Sequence, residues 1–297
     1  MLDRHSELAV PDESYFIPQL ADLHRGTIDA DVFADDLRRI GTLRDWGVPV
    51  DEVRARLSPG MSVGAAIGTV YEVYATRQGK ARWGDKTPMY MQHLGLLERL
   101  FPDAAYAHLI RDGRDAALSF LAMPEGIVTR TWAHPRTVAD FACQWRSEVR
   151  AARALGRRVG PARYLEVRYE GLVEDTRHEL GRICERAGLA FEPAMLDYAG
   201  QVDVTAKPHQ QSLRRPPTPG LRDWRQEMTA GDVARFEEVA GDLLAELGYE
   251  LAGPRREAGL SARARRASYA ARTGAWRTAS YALRRSPLWR RRHPPLA

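Results

Sequence analysis

The chain has 297 residues, of which 44% are apolar and 8% aromatic, enough to bury a substantial core and to argue against a disordered or fibrous protein. Its two cysteines, Cys143 and Cys184, have neither metal-ligand spacing nor the density of a disulfide scaffold and read as buried thiols in a reducing compartment. The net charge of +5 is shared unevenly: residues 251–297 hold 12 arginines and one acid, Glu257, leaving 32 bases and 38 acids in residues 1–250, so a mildly acidic body precedes a strongly basic tail.

The first 25 residues carry Asp3, Glu7, Asp12 and Glu13, where a signal peptide would be apolar. No stretch approaches the roughly 18 apolar residues of a membrane span, and the expected location is cytoplasmic. Residues 28–74 read as helical. Residues 82–85 form a weak strand, followed by Thr87 as a helix cap and Pro88 at the first helical position of a helix carrying Met91, Leu94, Leu97 and Leu100. After the turn Pro102-Asp103, residues 106–110 read as a buried strand and 116–121 as a helix. The arrangement repeats at 164–169, with a helix from Leu172 to Ala187 stopped by Gly188. Residues 201–219, with Pro208, Pro216, Pro217 and Pro219, predict a long surface loop. An amphipathic helix follows over 229–247, ending at Gly248, and the folded body is expected to end with it. Repeated strand, loop and helix units predict an α/β fold, a parallel sheet covered by helices on both faces, with ligands outside the carboxyl ends of the strands. Residues 1–250 form that domain, and 251–297 an Arg-rich tail.

The residues that carry chemistry fall at the strand ends. Arg111 and Arg114 flank Gly113, and Ser119 lies one or two turns into the next helix. A strand-end arginine, a hydroxyl and the amides of a helix start converge into an anion site; a salt-bridged turn without function is the competing reading. The run Arg111-Asp112-Gly113-Arg114-Asp115 with Ser119, the segment Asp85-Lys86-Thr87-Pro88, the helix end Phe101-Pro102-Asp103-Ala104 and Arg168-Tyr169-Glu170-Gly171-Leu172 together resemble sulfotransferases that use 3′-phosphoadenosine 5′-phosphosulfate (PAPS). The resemblance extends over about residues 1–250, through Trp224 to Leu247-Gly248-Tyr249, and within the family the tyrosylprotein branch is the most similar.

The resemblance implies a P-loop-like sulfotransferase fold, PAPS as co-substrate and no metal. It also implies that Arg111 and Ser119 hold the donor's 3′-phosphate and that Tyr169 lies near the adenosine. Lys86, one of three lysines beside Lys80 and Lys207, would contact the transferring sulfuryl group. Glu13, in Glu13-Ser14-Tyr15-Phe16-Ile17-Pro18, would deprotonate the acceptor. His134 is the alternative base. Sulfuryl transfer, like phosphoryl transfer, is an in-line displacement catalysed by positioning and charge stabilisation. Arg222 and Arg225 flank Trp224, and either is placed to supply a further base to the 3′-phosphate. Trp83, Trp132, Trp145, Trp224 and Phe191 fit core positions as well as a pocket.

The sequence departs from the family at its beginning. Members open with a strand running into a Ser/Thr-Gly loop that binds the 5′-phosphosulfate, whereas residues 1–8 resemble the segment just after it. Either Met1 is an internal methionine of a longer coding sequence, or this is a short form without donor activation. The expected activity is therefore transfer from PAPS to a hydroxyl of a carbohydrate, lipid or small metabolite, the rival being a nucleotide-binding relic. The tail places Tyr269, Trp276 and Leu283 seven apart among arginines. It is either disordered or an amphipathic helix on an anionic membrane surface, which would make the location peripheral to a membrane. No module for specific nucleic-acid reading is present.

Overall fold

Side-chain caps and buried stripes account for most of the helices. In the computed structural model, which describes residues 1–123, 131, 133–198, 222–254 and 259–286, the chain divides into two units. One takes Met1–Tyr106, Cys184–Tyr198 and Ala279–Ala297, the other Ala107–Ile183 and Ala199–Thr278. Among the described residues four strands form two pairs, β1 with β2 and β3 with β4.

The first unit contains β1 (Leu8–Ala9), α1 (Ile17–Leu23), α2 (Ala30–Leu37), α3 (Gly41–Asp45), α4 (Val50–Arg56), α5 (Val63–Arg77), β2 (Arg82–Trp83) and α6 (Leu94–Leu100). Asp29 caps α2 through the amides of Asp31 and Val32 at 2.9 and 3.0 Å, and Ser62 caps α5 through Ala65 at 3.2 Å. Helix α5 is buried on nearly every side, with Val63, Ala66, Ile67, Val70, Tyr71 and Val73 all inside, so it is the core around which α1 to α4 pack. Strand β1 runs parallel to β2, Leu8 opposite Arg82 and Ala9 opposite Trp83. Trp83 then stacks on Tyr71 of α5 with ring centroids 4.5 Å apart.

The expected long helix after Thr87 is broken. A 3-10 turn at Pro88–Gln92 precedes α6, and the break falls at His93 (φ −124°). Thr87 does precede the turn but makes no side-chain cap. Its hydroxyl is spent instead on the amide of Ser14, at 3.0 Å, and on Asp85.

The second unit contains β3 (Tyr106–Ile110) from Ala107 on, α7 (Gly113–Leu121), α8 (Val138–Val159), β4 (Tyr164–Arg168), α9 (Tyr169–Glu174), α10 (Thr176–Ala187) as far as Ile183, α11 (Trp224–Glu227), α12 (Ala230–Glu246) and α13 (Leu260–Arg285) as far as Thr278. The core joins Phe141, Ala142, Trp145 and Val149 of α8 to Phe236, Val239, Leu243 and Leu244 of α12. The single helix expected after β4 is two, interrupted at Asp175 (φ −133°). Gly248 (φ +77°) ends α12, but packing continues past it. Residues 260–285 are helical, Ala262 and Tyr269 are buried, and the Tyr269 hydroxyl donates to Gln144 at 3.2 Å. The Pro-rich segment 201–219, Lys207 and Trp132 lie outside the described residues.

Candidate active site

In the first unit the segments 12–17 and 84–90 are tied together by one partly buried carboxylate. Asp85 Oδ2 accepts hydrogen bonds from Ser14 Oγ (2.7 Å), Tyr71 OH (2.7 Å) and Thr87 Oγ1 (3.2 Å). Ser14 Oγ also meets Tyr90 OH at 2.7 Å, and Tyr90 OH accepts the amide of Ile17 at 3.1 Å. Burial raises the Asp85 carboxyl above its ordinary range, opposed by the bonds from Tyr71, Ser14 and Thr87.

The two neighbours of this knot are the two residues singled out from sequence. Glu13 precedes Ser14 and Lys86 follows Asp85, and Lys86 Nζ donates to Glu13 Oε1 at 2.6 Å. The ammonium is 61% exposed and the carboxylate 18%, so the pair sits at the surface end of a buried network. The second carboxylate oxygen, Glu13 Oε2, accepts the phenol of Tyr15. Tyr15 has φ +55° and is the only non-glycine residue with positive φ among those described.

In the second unit the two motif arginines play different parts. Arg114 is fully buried. It bridges Asp112 and Glu237, both at 2.7 Å, donates to the carbonyl of Glu250 at 2.7 Å and lies 3.6 Å over the Trp224 ring. It is wholly engaged in joining α7 to α11, α12 and the turn beyond α12. Arg111 is the other case: its charge acts on Asp115, but among the described residues it forms no ion pair within 4.0 Å, and its guanidinium lies 4.7 Å over the ring of Tyr169. Two sequence candidates, Arg111 and Tyr169, are thus brought together, and Ser119 sits seventh in α7, the helix that Arg111 leads into. The start of α7 is partly closed from within, because Asp112 caps the Arg114 amide at 2.9 Å and its own amide donates to Glu170 at 2.9 Å.

The other candidates have local partners. His134 Nδ1 accepts the amide of Thr131 at 2.9 Å, a turn-closing contact. Arg222 pairs with Glu227 (2.5 Å) and Arg225 with Glu250 (2.6 Å), while Arg225 also lies over Trp224. Trp83, Trp145 and Trp224 all belong to packing contacts. Sequence reasoning missed Ser14, Tyr15, Asp85, Tyr71 and Tyr90. The available signal was adjacency, since Ser14 and Tyr15 follow Glu13, and Asp85 precedes Lys86. Among the described residues no three His, Cys, Asp or Glu side chains gather as a metal site.

A sulfotransferase family model matches residues 1–193, and the chain belongs to that family. It is 29% identical over 201 residues to the nodulation protein NoeE of Sinorhizobium fredii, a match covering 61% of this chain and 47% of that protein. It is 24% identical over 257 residues to protein-tyrosine sulfotransferase A of Caenorhabditis elegans, covering 84% of this chain and 63% of that one. The chain therefore spans less than two thirds of the length of these relatives. Among solved structures, the sulfotransferase domain of the curacin biosynthetic pathway superposes with a TM-score of 0.56 at 19% identity, covering 84% of this chain and 92% of that one. The sulfotransferase domain of the Synechococcus PCC 7002 olefin synthase gives 0.56 at 23%, covering 84% and 88%. The fold is that of a sulfotransferase domain, with small parallel sheets in a largely helical structure.

Proposed function

We propose that the protein transfers a sulfuryl group from PAPS to a hydroxyl of a carbohydrate, lipid or small metabolite. The observation that carries the reading is Arg111. It leaves β3 without a close ion pair among the described residues, its charge felt by Asp115, and lies over an aromatic ring, while its motif neighbour Arg114 is consumed by the fold. An arginine left in that state retains its fork of donors for a phosphate. Arg111 and Ser119 hold the 3′-phosphate, and Tyr169 lies against the adenosine portion.

Lys86 and Glu13 act at the reacting end. The acceptor oxygen gives its proton to Glu13 and forms a bond to sulfur as the bond from sulfur to the nucleotide's phosphate oxygen breaks. Lys86 offsets negative charge on the sulfuryl and leaving oxygens, and its three donors allow it to keep Glu13 while doing so. Calorimetry with adenosine 3′,5′-bisphosphate, paired with a PAPS turnover assay, tests this. Binding with turnover is expected, binding without turnover would point to a nucleotide-binding relic, and no binding would end both readings.

Helix α13 supports a second contact. Arg263 and Arg277 are exposed on one side of its stretch in the second unit, and we assign this face to an anionic membrane surface, held by charge. No helix among the described residues is long and apolar enough to cross a membrane.

A further inference from the structure

We propose that Tyr15 is a specificity-determining residue that holds the acceptor's place at Glu13, its phenol filling the slot into which the substrate hydroxyl must move. The inference rests on Glu13 being the base of the proposed transfer. One carboxylate oxygen of Glu13 is taken by Lys86 at 2.6 Å. The other, the one open to an incoming hydroxyl, accepts the Tyr15 phenol.

The backbone shows that this contact is imposed. A tyrosine at φ +55° occupies a region that side chains with a Cβ rarely enter. Its neighbours leave it no choice, because Ser14 is buried and bonded to Asp85, Thr87 and Tyr90, and Phe16 is fully buried. Tyr15 itself is 39% exposed, so the unfavourable backbone is not offset by burying the ring; the contact with Glu13 is what the conformation achieves. Burial and the bond to Glu13 both push the phenol's pKa up, so it remains a protonated donor and resembles an un-ionised acceptor. A hydroxyl substrate must displace it, and the half-exposed ring then forms one wall of the entry, discriminating among acceptors by their fit against it.

The test uses the full chain with PAPS and no acceptor, so that water is the only nucleophile, and tracks release of adenosine 3′,5′-bisphosphate. Tyr15→Phe keeps the ring and removes the competing hydroxyl. Release is expected to rise by about tenfold, the factor gained when a slot filled most of the time is vacated, with affinity for the bisphosphate unchanged. Glu13→Gln should slow release, and Tyr15→Phe in that background should bring no gain. A Tyr15→Phe rate at or below that of the native chain, with Glu13→Gln still slow, overturns the place-holding role alone. Equal rates for the native chain and Glu13→Gln overturn the base assignment and this inference with it. Tyr15→Leu asks the same question if the phenylalanine variant does not fold, which thermal unfolding reveals.

Discussion

Arg111 and Arg114 stand three apart in one motif and should fail in opposite ways. Arg111→Ala removes a guanidinium that forms no close ion pair among the described residues, though its charge acts on Asp115. It should weaken binding of adenosine 3′,5′-bisphosphate by on the order of 100-fold, the worth of a bidentate charge-assisted contact, while the unfolding midpoint hardly moves. Arg114→Ala strips two carboxylates, Asp112 and Glu237, of a buried partner. It should cost about 3–5 kcal/mol in denaturant unfolding. The sequence made Arg111, Tyr169, Lys86 and Glu13 visible because motif and position coincide there. It could not rank the two arginines, since the partners that consume Arg114 lie far along the chain at Glu237 and Glu250. Tyr15 was hidden for a different reason: a positive φ at a non-glycine residue leaves no mark in composition or periodicity.

At the scale of elements, close approaches decide what is tolerated. A Cβ on Gly113 would stand 2.5 Å from Phe236 and 2.6 Å from Trp145, so Gly113→Ala should overpack the contact of α7 with α8 and α12. A loss of about 1–3 kcal/mol is expected from chemical unfolding. Helices α6, α7 and α12 were legible from capping residues and apolar spacing, α12 nearly to the residue, whereas α2 to α5 were read only as one helical stretch and α8 was not read. The interruptions at His93 and Asp175 were not, because apolar residues keep helical spacing across both and neither carries a proline or glycine. Strand β1 was missed because two residues show no alternation; its partner β2 creates it.

At the scale of the molecule, two titrating groups of the second unit, His108 buried and Asp115 partly buried, pull stability in opposite directions with pH. Burial lowers the His108 pKa to about 4, below its unfolded value, so stability is full above about pH 6.5 and lost as pH falls towards 4. Burial raises Asp115 to about 6, above its unfolded value, so stability is full below about pH 4 and lost as pH rises towards 6. Each effect is on the order of 2 kcal/mol, with Asp115 discounted for partial exposure. Asp115→Asn, which keeps an acceptor for the Trp224 amide, should steepen the rise in stability between pH 4 and 6.5. His108→Gln should reverse the slope, and urea unfolding across that range reads both. The division into two units was not legible in the chain, because each is assembled from stretches far apart in sequence. The basic tail was legible as charge and as a seven-residue spacing fit for an amphipathic helix, but not as a docked one, since the acids that position α13, Asp140 and Asp242, belong to distant helices.

Those two ion pairs make α13 part of the fold as well as a charged surface. Arg266 meets Asp242 at 3.2 Å and Arg272 meets Asp140 at 3.1 Å, with Tyr269 buried between them in sequence. Anything that grips the outer arginines of a docked helix binds the folded state and not the unfolded one, and therefore acts as a ligand for folding. Anionic vesicles at low salt should raise the unfolding midpoint of the native chain. Charge reversal at Arg277 should reduce the rise while leaving the vesicle-free midpoint in place. Cutting the chain at Pro254 would be a poor substitute for that experiment, because it would expose the α8 and α12 surface that α13 covers and take Arg272 from Asp140, while Asp242 would keep Arg146 and Arg150. On the proposed reading, a segment that composition alone would assign to the periphery is where adhesion and stability would become one equilibrium.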